Sequence, residues 1–330
     1  MRIGLTYDLQ RDPRDERQAE CDSPRTIEGL CQAIGELGHD VVRLGNAYDL
    51  LASTRWTAQV DLVFNLAEGS HGRCREAWVP TLLELFQVPY VGSDPLALSL
   101  GLDKAMSKRL AAACGIATPR WITVEEPRAI PAVLPLAFPV IVKPRDEGSG
   151  IGIDEGAVVH DHAALVGRVR WLFERWPEPI VIEAFIPDGE LTVCVIGNDP
   201  PTAYPAVQRP LDPMTKLSCH VVKARAGVSH EWDTPLALSE ELDAAARRVA
   251  LVMFEALGCR DMARIDLRVD AAGTVYFLEI NPLPSLDPEG SFGLLAEHLG
   301  IPYTHLIGRI IDAARGRIAA RPVASHEAAP

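Results

Sequence analysis

The chain has no apolar run approaching the ~20 residues that a membrane-spanning helix requires. Its opening Met1-Arg-Ile-Gly-Leu-Thr6 reads as a strand and not as a signal peptide, so a cytoplasmic setting without a membrane partner is the expectation. Basic charge is also short: 32 Lys and Arg stand against 45 Asp and Glu, a net charge of −13. Without a basic surface to release counterions from a phosphate backbone, nucleic acid is excluded as the main partner. Cysteine pairs are missing as well. Cys21, Cys31, Cys74, Cys114, Cys194, Cys219 and Cys259 are odd in number, scattered and never spaced C-x-x-C. That argues against a zinc site or a disulfide framework and for a reducing compartment. Neither G-x-G-x-x-G nor G-x-x-x-x-G-K-[ST] occurs, which removes the dinucleotide and P-loop readings. No internal repeat or low-complexity block is visible.

What remains is a chain of 330 residues, 48% hydrophobic, long enough for two or three cores. The first hundred residues alternate strand and helix. Strands are expected at Arg2–Tyr7, Asp40–Leu44, Asp61–Leu66 and Pro89–Val91, with helices at Ser23–Leu37 and Arg75–Leu85. A helix over Leu102–Cys114 ends at Gly115, and Pro119 marks a junction to a second unit. There the pattern gives strands Phe138–Lys143, Ile151–Val159 and Ile180–Phe185, with a helix over Ala163–Arg175. The last expected helix is Tyr303–Arg315. This suggests units at 1–100, 101–186 and 187–317, with a disordered tail at 318–330.

Residues 263–281 form the most informative stretch. Ala263, Ile265, Leu267 and Val269 alternate with Arg264, Asp266 and Arg268, Asp270–Gly273 supplies a turn, and Thr274–Ile280 is β-rich. A four-residue loop would put Arg264 opposite Glu279, with Asp266 diagonal to it and Asn281 on the same face. Two carboxylates and an amide oxygen suit Mg²⁺. A solvated face with an Arg264–Glu279 ion pair fits the spacing equally well.

Upstream, Val142-Lys143-Pro144 runs into a loop carrying Gly148, Ser149, Gly150 and Gly152. Its backbone N–H groups can form a nest for phosphate oxygens, with Lys143 adding a point charge, although an ordinary glycine-rich hairpin has the same composition. The strand end at Ile182-Glu183-Ala-Phe185-Ile186 offers backbone groups and apolar walls to an adenine. Glu183 would accept from its amino group and Glu190 from a ribose, or both acids are solvated turn residues.

In this order and spacing, these segments resemble the ATP-grasp superfamily and, within it, the D-alanine–D-alanine ligase family. The resemblance runs from about Val60 to Arg315 and also takes in Val88-Pro-Tyr-Val-Gly-Ser93 and Leu102-Asp-Lys104 with Lys108. It implies an α/β (α+β) ATP-grasp fold of three domains: an N-terminal open α/β layer, then two α+β domains that hold the nucleotide between them. It implies that Lys104, Lys143 and the glycine-rich loop (Gly148, Ser149, Gly150) hold phosphates, that Glu183, Phe185 and Ile186 meet the adenine, and that Glu190 meets the ribose. Lys223 would close over the nucleotide. Asp266, Glu279 and Asn281 would ligate two Mg²⁺ ions, with Mn²⁺ as an alternative, while Arg264, Glu68 and Ser149 serve the reaction. The implied reaction activates a carboxylate as an acyl phosphate and joins it to an amine, releasing ADP. The partners are then small amino-acid-like substrates, and a homodimer is compatible with the family.

Departures from the family pattern fall on the substrate side. Glu68-Gly69 stands where His-Gly is usual, Ala224 where a tyrosine follows the closing lysine, and Pro284-Ser285-Leu286 where Pro-Gly-Met is usual. Gly290 takes the place of the serine for the second substrate's carboxylate, with Ser291 next to it, and the glutamate for the first substrate's amine has only Glu20 and Asp22 nearby. The expectation is a ligase for a pair other than two D-alanines. The alternatives are a genuine D-alanine–D-alanine ligase and an ATP-binding module without ligation.

Overall fold

A computed structural model describes residues 1–218 and 235–320. The N-terminal layer is a parallel sheet, β1 (Arg2–Tyr7), β2 (Asp40–Gly45), β3 (Leu62–Leu66) and β4 (Tyr90–Val91), in the order β2-β1-β3-β4. Helix α1 (Pro24–Glu36) begins where Ser23 accepts from the Thr26 N–H at 3.0 Å and Pro24 presets the first turn. Its buried stripe of Ile27, Leu30 and Ile34 faces the sheet. Helices α2 (Ala47–Ala52), α3 (Trp78–Leu85), α4 (Pro95–Leu102) and α5 (Lys104–Ala113) follow. The expected helix from Leu102 instead starts at Lys104, because the Asp103 carboxylate accepts from the Ala105 and Met106 N–H groups and caps it there.

The central sheet is antiparallel, β5 (Trp121–Val124), β6 (Val140–Pro144), β7 (Val158–Val159) and β8 (Ile180–Ala184), in the order β5-β8-β6-β7. Helix α6 (His162–Arg175) covers it through Leu165, Val169 and Leu172. One expectation fails here. The strand proposed over Ile151–Val159 shrinks to Val158–Val159, because Ser149, Gly150 and Gly152 adopt positive φ and the N–H groups of Ile151, Ile153 and Ala157 close local turns.

The third sheet contains β9 (Gly189–Ile196), β10 (Thr202–Ala203), β11 (Val207–Arg209), β12 (Met262–Val269) and β13 (Val275–Asn281). Its order is β10-β9-β12-β13, with β11 also on β9. Helix α7 (Glu240–Leu257) packs Ala250, Met253, Phe254 and Leu257 over Ala263, Ile265, Leu267 and Val269. Alternation then turns Arg264, Asp266 and Arg268 to the opposite face, towards the central sheet. Helix α8 (Ser291–His298) and helix α9 (Tyr303–Ala320) return to the N-terminal layer, where Leu306, Ile307, Ile310 and Ile311 complete the core around Ile3, Leu5 and Leu30. The helix continues past Arg317, where disorder was expected, and positions 321–330 lie outside the described residues.

Candidate active site

Between the central and third sheets lies a narrow cleft of about 110 Å³, bordered by Lys143, Ser149, Gly150, Glu183, Phe185, Ile186, Glu190 and the β12–β13 face. At its floor Glu183 is 2% exposed. Lys108 Nζ and Lys143 Nζ each lie 2.7 Å from one of its carboxylate oxygens. Burial alone would raise Glu183, but the two ammonium groups outweigh it and hold the carboxyl below its ordinary range. The same burial pulls Lys108 down to about 8, although Glu183 opposes it. Each Glu183 oxygen, expected to meet an adenine amino group, faces a lysine in this structure and keeps a second acceptor position. Lys108, read in the sequence only as part of a motif, is a buried member of this triad.

Phe185 and Ile186 do line the cleft, with Ile141, Ile153, Leu217 and Leu278 beside them as further apolar surface. Arg268 organises this end. Its guanidinium lies 5.3 Å from the Phe185 ring centroid, pairs with Glu190 at 2.9 Å and donates to the Ile186 carbonyl at 3.2 Å. Glu190 therefore reaches the cleft already bound to a cation. The signal for Arg268 was present in the sequence, since it is the third charged residue of the β12 alternation.

The glycine-rich loop holds a second finding. The Gly148 N–H donates to Glu20 Oε1 at 2.7 Å and the Gly152 N–H to Glu16 Oε1 at 3.1 Å. Two carboxylates thus take N–H groups that the nest was expected to offer to phosphates. Glu20 is fixed by Arg75, whose Nη2 is 2.6 Å from Glu20 Oε2 and whose Nη1 donates to the Asp146 carbonyl at 2.8 Å. Lys104 Nζ donates to the Glu147 carbonyl and lies 3.5 Å from Glu279.

On the hairpin, Asp266 pairs directly with Glu279 and Arg264 with Asn281. This corrects the expected register. Val269 pairs with Val275, so the loop is longer by one residue, and a bulge between the Asp266–Glu279 and Leu267–Phe277 pairs shifts the remainder. The four polar residues still share one face. The expected Arg264–Glu279 ion pair is replaced by a grip of Arg264 Nε and Nη2 on Asp266, at 3.0 and 2.8 Å to Oδ2. Thr192 Oγ1 donates to Asp266 Oδ1 at 2.8 Å, and Asn281 Nδ2 lies 3.4 Å from Oδ2. Burial would raise Asp266, but Arg264 and then Arg209 overcome it and keep the carboxyl low. Register-paired carboxylates beside an amide form a hard-oxygen donor set, which fits Mg²⁺ in kind.

Below the hairpin opens a larger cavity of about 540 Å³, whose wall includes Glu20, Asp22, Glu68, Glu76, Lys104 and Asp287. Ser149, Arg209, Arg264 and Glu279 border both this cavity and the cleft. Arg209 was not singled out in the sequence. It joins the two spaces, with Nε donating to Thr192 Oγ1 at 3.0 Å and Nη2 to Ser291 Oγ at 2.6 Å. Lys223 lies outside the described residues.

Comparison with known proteins gives the arrangement a family. The model described as "D-ala D-ala ligase C-terminus" matches residues 110–312. The D-alanine–D-alanine ligase of Marinomonas sp. is 33% identical over 310 residues, covering 92% of this chain and 93% of that protein. The chain belongs to the D-alanine–D-alanine ligase family. A further relative of this ligase-family member, "Uncharacterized protein y4sG" of Sinorhizobium fredii, is 32% identical over 89% of this chain and 88% of its own. In fold, the family member matches the D-alanine–D-alanine ligase from Bacillus anthracis complexed with ATP, with TM-score 0.74 and 23% identity over 97% of this chain and 99% of that one. The expected ATP-grasp architecture, a parallel sheet followed by two antiparallel ones, is therefore present, and the chain is an ATP-grasp ligase by family. The family member departs from the sequence expectation in one respect that matters for substrate: Glu20 and Asp22, expected to be merely nearby, both line the cavity with Glu68.

Proposed function

We propose that this chain is an ADP-forming carboxylate–amine ligase that joins two amino-acid-like substrates other than a pair of D-alanines. The observation that carries the reading is the shared border of Ser149, Arg209, Arg264 and Glu279 between the cleft and the cavity. A nucleotide in the cleft and a carboxylate in the cavity would meet there and nowhere else along the wall. The substrate carboxylate oxygen forms a bond to the γ-phosphorus as the bond to the β-phosphate oxygen breaks, giving ADP and an acyl phosphate. The second substrate's amine then forms the C–N bond, the C–O bond to phosphate breaks, and the surplus ammonium proton passes to solvent.

Arg264 is held in place by Asp266 through Nε and Nη2, while Nη1 has no protein partner among the described residues. That leaves a fixed donor for the oxyanion of the tetrahedral step, which costs no reorganisation when charge develops. Lys104 and Lys143, with Gly148, Ser149 and Gly150, are the groups for the phosphates once Glu20 and Glu16 yield the loop N–H groups. Phe185 and Ile186 wall the base, and Glu190 remains the ribose acceptor. Asp266, Glu279 and Asn281 would hold Mg²⁺, which neutralises phosphate charge when bound. The units at 1–100, 101–186 and 187–317 belong to the same proposal, as does the cytoplasmic setting.

The test is phosphate release from ATP and Mg²⁺ against D- and L-amino acids and dipeptides, with mass detection of the product. Release with a pair other than D-alanine supports the reading. A D-alanyl-D-alanine product at full rate would reject the substrate half of it, and no release with any pair would reject ligation.

A further inference from the structure

Three acidic side chains on the cavity wall take no part in the steps above, Glu68 among them although the resemblance placed it with the reacting residues. Asp22 follows the loop that carries Glu20, Glu68 follows β3, and Glu76 lies in the single 3-10 turn Arg75–Ala77 before α3. Asp22 is 8% exposed and Glu76 7%. All three border the cavity, and none has a hydrogen-bond or ion-pair partner among the described residues. Their neighbours are satisfied: Glu20 by Arg75, Asp287 by Thr26 Oγ1 at 2.8 Å, and Glu289 by Arg25 at 2.6 Å. The cations of the cavity are also spoken for, Lys104 by the Glu147 carbonyl, Arg209 by Thr192 and Ser291, and Arg264 by Asp266. Asp22 and Glu76 are thus buried and Glu68 half-buried, with unpaired carboxylates open to the cavity, where a bound group of opposite charge would complete them.

We propose that this wall recognises a second positive charge on the substrate, so that one of the joined amino acids is a diamino acid or carries a guanidinium. The inference rests on the ligase reading above. An α-ammonium is common to every amino acid and needs one acid, whereas Asp22, Glu68 and Glu76 present three on separate elements. An organic cation with methylenes between its charged ends fits that spread. A metal ion does not, since no three acidic, histidine or cysteine side chains among the described residues converge closely enough to bind one. Burial first, and neighbouring acids second, push Asp22 and Glu76 each to about 8 and raise Glu68 strongly. An empty wall thus holds protons that an ammonium would displace.

The experiment titrates the full chain, saturated with ADP and Mg²⁺, in a calorimeter with both enantiomers of ornithine, lysine and arginine, against their neutral isosteres norleucine, 2-aminoheptanoic acid and citrulline. One basic enantiomer should bind tighter than its isostere by on the order of tenfold, as one charge-assisted contact gives. Glu68→Gln and Asp22→Asn should each remove most of that ratio. Equal binding of basic and neutral partners, or binding of none, overturns the proposal, and so does an unchanged ratio in both variants. The comparison on the unaltered chain stands even if a variant fails to fold. Phosphate release separates the two readings. Turnover without a basic preference sinks the charged wall and leaves the ligase, whereas a basic preference in binding without turnover on any pair sinks the ligase and leaves the wall.

Discussion

Glu183→Gln should destabilise this protein more than Lys108→Met, although both break the same ion pair. In the parent, Lys108 and Lys143 share one carboxylate at 2.7 Å on each side in a region where Lys108 is 0% exposed. Two positive charges and one negative leave a single net charge in the triad. Replacing the carboxylate by an amide doubles that charge and leaves two buried ammonium groups with only the amide oxygen and, for Lys108, Thr118 Oγ1 at 3.1 Å to donate to, for which ~3–5 kcal/mol is the usual cost of breaking a buried ion pair. Removing Lys108 instead leaves a neutral Glu183–Lys143 pair, so the loss is nearer ~1–3 kcal/mol, that of a charge-assisted bond. For a chain of this size ~1 kcal/mol corresponds to a few degrees, so Glu183→Gln should melt roughly 6–15 °C lower and Lys108→Met well short of that.

The pH dependence sharpens the comparison. Lys108 has a folded pKa near 8, below its ordinary 10.5, so the folded state binds fewer protons than the unfolded one between those values. Stability from this group therefore rises with pH across that window. Without Glu183 the folded pKa falls further and the rise begins at lower pH, so the deficit of Glu183→Gln shrinks as pH climbs from 6 towards about 8. Melting temperatures by circular dichroism at several pH values read this directly. A Glu183→Gln protein as stable as Lys108→Met, or one whose deficit grows with pH in that range, would refute the charge accounting.

Other outcomes follow from the same geometry. Arg264→Met should lower kcat/KM for phosphate release by roughly 10²–10³, the loss seen when an oxyanion donor is removed, and a normal rate would take Arg264 out of the reaction. Glu20→Gln should loosen the glycine-rich loop, read as faster hydrogen exchange at the Gly148 amide, and unchanged exchange would mean that the carboxylate does not hold it. Asp22→Asn should stabilise the chain above neutral pH. With its folded pKa raised to about 8 from 3.8, chiefly by burial and then by Asp8 and Asp287, Asp22 keeps a proton that the unfolded chain gives up, so stability falls as pH rises between those values. The gain should be on the order of 2–5 kcal/mol at pH 8 and vanish near pH 4, and equal melting shifts at both pH values would contradict it.

Much of this was legible where local rules are strong. The Ser23-Pro24 start of α1 and the alternation of Ala263 to Val269 each state their own structure, and the latter placed Arg264, Asp266, Glu279 and Asn281 on one face. The hairpin register was not readable, because a bulge leaves the composition of both strands unchanged. The strand at Ile151–Val159 misled because β-branched residues speak for extension, while positive φ at Gly150 and Gly152 overrides them. The lysines around Glu183 were not legible, because Lys143 reaches it through the pairing of β6 with β8 and Lys108 only when α5 meets the central sheet. Glu20 shows the same blindness on a larger scale, since its contact with Gly148 spans 128 positions. Charges that answer one another across such distances leave no periodic mark.

Helix α9 adds a consequence for how the chain reaches this state. It closes the hydrophobic core of the N-terminal layer, and Thr304 Oγ1 donates to Glu36 across 268 positions. During synthesis, β1 to β4 and α1 leave the ribosome long before the helix that covers their apolar side. The layer that forms first is thus finished by residues made far later, and until then Leu5, Leu30 and Ile34 lack their lid. Such long-range closure slows folding and leaves an exposed apolar surface for chaperones to guard. Shortening α9 should therefore reduce soluble yield through the opposite end of the sequence, far from the residues removed.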